Sequence, residues 1–197
     1  MASYFLSKLS KSENARDLKF KTMVLPLFHS SVVLYFVWLD YHALTAVYTL
    51  LCRHRVILQS LYVLGLQYFT VWGQFLQQLY FVSCVLKDVL IYTPDKKLPR
   101  TKRCLNYLRG ALFPSVVFPI SVVMSINFWC FYNIDPTLWE DLGAFRDVIP
   151  LWLNHALHTN IVVLCVLEVA LNPQLRYPDR KTGLLVPATI ILLYATT

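Results

Sequence analysis

The chain has 197 residues, of which 57% are hydrophobic and only 15% charged, against roughly 25% charged in a soluble domain. Long apolar runs alternate with short clusters of Lys and Arg, which excludes a soluble domain and reads as an all-α, polytopic transmembrane helical bundle. The formal charge of +7 is divided among several loops, so it reports topology and excludes the single basic face of a nucleic-acid-binding protein.

Residues 1–22 form a basic leader, with Lys8, Lys11, Arg16, Lys19 and Lys21 set against Glu13 and Asp17. Its Lys-rich end places the N-terminus on the cytoplasmic side. No small-residue cleavage site follows a short apolar core, so no cleavable signal peptide is expected. A first span is predicted from Met23 to about Leu44, with Asp40 and His42 as an interfacial exit. The stretch from Thr45 to Ser60 permits two readings: a long tilted first helix, or an interfacial segment.

The second span is predicted over Leu61–Leu86, and its polar residues Gln67, Thr70, Gln74, Gln77 and Gln78 recur at helical spacing on one face. Lipid penalises such a stripe, so it is expected to face the bundle interior or a cavity. Lys87 to Arg109 reads as a basic cytoplasmic loop. A third span follows over Gly110–Tyr132, kinked at Pro114 and Pro119. Asp135 to Asp147 is acidic and reads as an outer loop, the fourth span runs over Ile149–Leu171, and Asn172 to Lys181 is basic again. The fifth run, Gly183–Thr197, covers about 22 Å of a ~30 Å hydrocarbon core. The sequence thus predicts four full spans and a fifth truncated at the C-terminus, in one transmembrane domain over 23–197.

The five cysteines, Cys52, Cys84, Cys104, Cys130 and Cys165, form no CxxC pair, which argues against a zinc site or a disulfide framework. They are expected to be small apolar packers. His155 and His158 share a helix face, but no third ligand lies nearby in sequence, so no metal is assigned to them. No cofactor is expected.

The stretch Trp152-Leu153-Asn154-His155-Ala156-Leu157-His158-Thr159 is too polar merely to fill lipid. Such residues mark a functional site by default, or they stitch helices together by hydrogen bonds. With the second and fourth spans running in one direction, Thr70 and His158 each lie about nine residues, or roughly 13 Å, below the outer boundary. A hydroxyl and an imidazole at one depth fit nucleophilic catalysis, the imidazole serving as base. The bland reading of Thr70 is a hydrogen bond to the carbonyl four residues back, at Leu66.

This stretch, followed by Tyr177-Pro178-Asp179-Arg180-Lys181-Thr182-Gly183-Leu184, resembles the androgen-induced and androgen-dependent tissue-factor-pathway-inhibitor regulator family of membrane proteins. Phe118-Pro119, Phe128-Trp129, Thr70 and Cys84-Val85-Leu86-Lys87-Asp88 share in the resemblance, which spans about Leu66 to Leu185. It implies five or six spans and hydrolysis of fatty acid esters of hydroxy fatty acids by an intramembrane threonine nucleophile and a histidine, which fall here on Thr70 and His158. The chain departs from the family pattern at Leu66 and Gln67, where Trp and Lys are usual, and at Gly73, where Asp or Asn is frequent. Asn154, His155, Gln67 and Gln74 are candidates for oxyanion donors or for supporting the pair. The expected substrate is a lipid ester drawn from the bilayer, in the endoplasmic reticulum or plasma membrane. The alternative is a non-catalytic membrane scaffold or regulatory protein.

Overall fold

The computed structural model describes residues 23–53, 69–90, 98–134, 150–172 and 179–195. The basic leader, the acidic loop, Leu66, Gln67 and the lysines at 96 and 97 lie outside the described residues. All regular structure among the described residues is helical, with seven α-helices. These are α1 (Leu25–Arg53), α2 (Phe69–Leu90), α3 (Pro99–Leu112), α4 (Phe118–Ile134), α5 (Leu151–His158), α6 (Asn160–Leu171) and α7 (Arg180–Ala195).

The ambiguity after the first span resolves in favour of one long helix: α1 continues without a break for 29 residues, about 43 Å at 1.5 Å per residue. The structure also corrects the loop expected before the third span. Pro99 takes the first helical position, where its missing N–H costs nothing and its fixed φ suits the helix. From there helical structure continues to Ile134. Arg100, Lys102 and Arg103 therefore sit on a helix that leads into the membrane, not on a loop.

Between α3 and α4 the helix widens into a π-helical segment, Phe113–Val117. Pro114 brings no N–H to the usual ladder, and the Phe118 N–H reaches back five residues to the Phe113 carbonyl. The wider turn aims Phe113, Val116 and Val117 into the core, and α7 packs against it.

Three segments are long and apolar enough to cross a membrane by length and composition: Leu25–Thr49, Pro99–Ile134 and Leu151–Leu171. The 22 residues of α2, about 33 Å, have the length to cross as well, but its glutamines lower its hydropathy. Large apolar side chains cover the outside, among them Leu27, Leu34, Val37, Phe75, Ile126, Val163 and Val166, as a lipid-facing surface requires. The shared core gathers Val32, Phe36 and Leu39 of α1, Leu76, Tyr80, Phe81 and Cys84 of α2, and Leu153, Ala156 and Cys165 of α5 and α6 around the π segment.

Directions follow from side-chain pairs. His29 meets Asp88 and Asp40 meets Gln78, so α1 and α2 are antiparallel. Gln77 meets Cys165 and Tyr80 meets Glu168, each pair 88 residues apart, so α2 and α6 run parallel. Asp40, read from sequence as an exit residue, instead accepts from Gln78 at 2.9 Å and 3.0 Å, with α1 extending 13 residues beyond it.

Candidate functional site

The fourth apolar run is not one regular helix. It breaks at Thr159 (φ −105°, ψ −51°) between α5 and α6. The Thr159 N–H closes α5 on the His155 carbonyl at 2.9 Å, and the Thr159 carbonyl accepts the Val162 N–H at 3.1 Å, a tight three-residue turn. Its hydroxyl accepts from Trp129 Nε1 at 2.9 Å and lies 3.2 Å from His155 Nδ1. His155 is exposed and leans on the Trp129 ring, centroids 4.7 Å apart. It therefore braces the break from outside.

His158, the last residue of α5, points the other way and is buried. Its ring lies flat on Phe128, centroids 3.6 Å apart and planes 5° from parallel. Its Nδ1 has no hydrogen-bond partner. Asn154, one turn earlier, is half-buried.

Facing this helix, α2 buries Gly73, Gln74, Gln77, Tyr80, Phe81 and Cys84 and half-buries Thr70. The interior face expected of the glutamine stripe is therefore real for Gln74 and Gln77, while Gln78 turns toward α1. Gln77 Nε2 donates to the Ile161 carbonyl at 2.8 Å and contacts Cys165 Sγ at 3.1 Å, so α2 and α6 touch. The first bond spans 84 residues and the second 88. On a parallel pair these separations carry from His158 back to Gln74 and Thr70. Gly73 makes the close approach to α4: a Cβ there would overlap the Met124 sulfur and lie 3.1 Å from Ile120 Cγ2. No hydrogen bond joins Thr70 to His158 or Asn154 to any described side chain.

Buried polar groups without partners are rare and costly. Among the described side chains they are both amide atoms of Gln74, Oε1 of Gln77 and Nδ1 of His158. Gln74 and Gln77 lie one turn apart on α2, and His158 ends α5.

A second polar cluster, not anticipated from sequence, closes the end of the bundle where α1 begins. His29 Nδ1 lies 2.5 Å from Asp88 Oδ2, and its Nε2 lies 3.0 Å from Glu168 Oε2. Glu168 Oε1 accepts from Tyr80 at 2.5 Å and Asn172 at 2.9 Å, with Arg109 Nη2 3.9 Å away. Arg109 Nε donates to Cys84 Sγ at 3.0 Å. The signal for this cluster was present only as single polar residues in separate apolar runs, with nothing to pair them.

Residues 41–197 match the model of the FAR-17a/AIG1-like protein family. The chain belongs to this family. It is 34% identical over 130 residues to the androgen-dependent TFPI-regulating protein of Mesocricetus auratus, covering 66% of this chain and 54% of that protein. Against the Homo sapiens protein of that name it is 35% identical over 130 residues, 65% of this chain and 54% of the relative. It is 27% identical over 123 residues to the Homo sapiens androgen-induced gene 1 protein, 60% of this chain and 51% of the relative. The chain thus spans about half the length of these relatives. No solved structure matches it significantly. The matched region includes α2, the π segment and the break at Thr159, so both polar clusters lie on family sequence except for His29 of α1.

Proposed function

We propose that this membrane protein is an intramembrane lipid esterase that hydrolyses fatty acid esters of hydroxy fatty acids, with Thr70 as nucleophile and His158 as base. The observation that supports this most is the set of unpartnered buried polar atoms on Gln74, Gln77 and His158, because an apolar lipid environment tolerates them only where a polar ligand or water completes them. The 88-residue offset of the Gln77–Cys165 and Tyr80–Glu168 pairs, extended back along the chain to Thr70 and His158, adds to it.

In this reading the ester enters laterally between helices, its chains against the apolar outer faces. His158 takes the Thr70 hydroxyl proton as Oγ1 attacks the ester carbonyl. The Gln74 amide N–H, lacking a partner, donates to the developing oxyanion. Collapse expels the hydroxy fatty acid, which receives the proton, and leaves an acyl-threonine. Water, deprotonated by His158, then attacks the acyl carbon and restores Thr70. Phe128 holds the imidazole plane, Gly73 lets α2 approach α4 one turn below Thr70, and His155 braces the break at Thr159. In this reading the N-terminus is cytoplasmic, on the side where the positive-inside rule puts the basic residues around α3 and in the leader.

The test is hydrolysis of a fluorogenic fatty acid ester in proteoliposomes. Thr70→Ser retains measurable turnover, while Thr70→Ala and His158→Ala abolish it at normal expression. Undiminished hydrolysis by Thr70→Ala overturns the proposal. A second reading, a regulatory protein without catalysis, is favoured by the name of the androgen-dependent relatives, which describes regulation. Fluorophosphonate labelling separates the two, since an activated Thr70 is tagged and a scaffold is not.

A further inference from the structure

The cluster at the far end of the bundle has more structure than helix packing requires. His29, Cys84 and Glu168 come from three helices, are completely buried, and bring their ligand atoms within 4.8 Å of one another. Ligand atoms around a tetrahedral zinc ion lie about 3–4 Å apart, so a small rotation of side chains closes the set. His29 Nε2 and Glu168 Oε2 already face each other at 3.0 Å.

Each ligand is also held from behind. Asp88 sits on His29 Nδ1, the carboxylate–histidine arrangement that fixes an imidazole with its other nitrogen toward a metal. Tyr80 and Asn172 occupy Glu168 Oε1 and leave Oε2 for a ligand bond. Arg109 donates to Cys84 Sγ, a contact suited to a metal-bound thiolate. Asp88 and Glu168 both reach His29, and Arg109 Nη2 lies 3.9 Å from Glu168. With His29 neutral and Cys84 as thiolate, a divalent cation beside Arg109 balances the three buried negative charges, as a site inside a bundle requires.

We infer that His29 Nε2, Cys84 Sγ and Glu168 Oε2 bind one divalent transition-metal ion of the zinc type, tying α1, α2 and α6 together at the end opposite the break at Thr159. Sulfur, imidazole and carboxylate together suit zinc and cobalt and disfavour calcium and magnesium. The Cys84 thiol proton, and any on His29 Nε2, leave to solvent as the ion binds. The site is independent of the Thr70–His158 reading.

The experiment loads the full chain, purified in detergent, with Zn2+ or Co2+ and measures retained metal and the visible spectrum. The inference expects about one ion per chain, with cobalt ligand-field bands and a near-ultraviolet thiolate-to-cobalt band. Cys84→Ser loses that thiolate band, Glu168→Gln and His29→Gln release the metal, and Asp88→Asn weakens binding about 10–100-fold. The exposed Cys104→Ser and the catalytic His158→Ala leave binding unchanged. Folded wild-type protein that retains no metal overturns the inference and leaves a protonated His29 as the cluster's cation. A thiolate band that survives Cys84→Ser overturns it independently of how the other variants fold.

Discussion

His158 and Phe128 lie ring on ring, 3.6 Å apart and within 5° of parallel, so the imidazole plane is set by a neighbouring helix rather than by a hydrogen bond. Replacing Phe128 with Leu keeps an apolar side chain but frees the ring to rotate. The expected result is a fall in kcat of about 10–100-fold, because catalytic groups displaced by about 1 Å lose that much. KM should change little, and Phe128→Tyr should retain most turnover. A steady-state assay in proteoliposomes reads both parameters, and a kcat unchanged in Phe128→Leu removes Phe128 from the site.

Two buried glutamines one turn apart should answer oppositely to the same substitution. Gln77 donates across to α6, so Gln77→Leu loses a real interhelical bond and destabilises the fold by roughly 0.6–1.7 kcal/mol. Gln74 has no partner to lose. Gln74→Leu should leave thermal stability unchanged or raised, while hydrolysis falls by about 10²–10³ through loss of an oxyanion donor. Thermal unfolding in detergent beside the hydrolysis assay separates structural glutamine from functional glutamine.

The inward turn of Gln74 and Gln77 was legible because helical periodicity is local and residues three apart share a face, whereas Gln78 falls on the α1 side. The expectation that Thr70 and His158 lie at one depth rests on the same kind of local rule, since rise per residue is fixed. Other features depended on pairings that one segment does not encode. His29 finds Asp88 and Glu168 at separations of 59 and 139 residues, and each reads in isolation as one stray polar residue. Asp40 looked like an exit because only its own helix was in view, whereas Gln78 of α2 accounts for its depth. The basic run after Pro99 read as loop because charge outweighed the proline's other meaning, a helix start. The break at Thr159 had no Pro or Gly to announce it. It rests instead on the Trp129 and His155 contacts to the Thr159 hydroxyl.

Tyr80→Phe isolates one donor of the second cluster. The ring keeps its place against Phe113, centroids 4.7 Å apart, and only the hydroxyl on Glu168 Oε1 is lost. A buried carboxylate deprived of one donor costs about 1–3 kcal/mol, moderated here by Asn172, which still donates to the same oxygen. The unfolding temperature should fall. Hydrolysis at a temperature where the variant is folded should stay near wild type, because Tyr80 lies away from Thr70 and His158. A large drop in kcat without loss of stability would join the two clusters functionally.

Gly73 lies where α2 approaches α4, and the sulfur of Met124 fills the space a side chain would need. Met124 is flexible, so Gly73→Ala should be absorbed by a rotamer change at modest cost, with Ile120 Cγ2 at 3.1 Å as the stiffer limit. Gly73→Val leaves no such escape and should destabilise by about 1–3 kcal/mol through overpacking. It should also push α2, and with it Thr70 one turn away, off its register, lowering kcat. If the clash is the cause, Met124→Ala should restore part of both losses. A double-mutant cycle over Gly73→Val and Met124→Ala is then expected to show a favourable coupling of about 0.5–3 kcal/mol. Additive effects, with no rescue of turnover, would mean that Gly73 acts through its own backbone rather than through the α2–α4 contact.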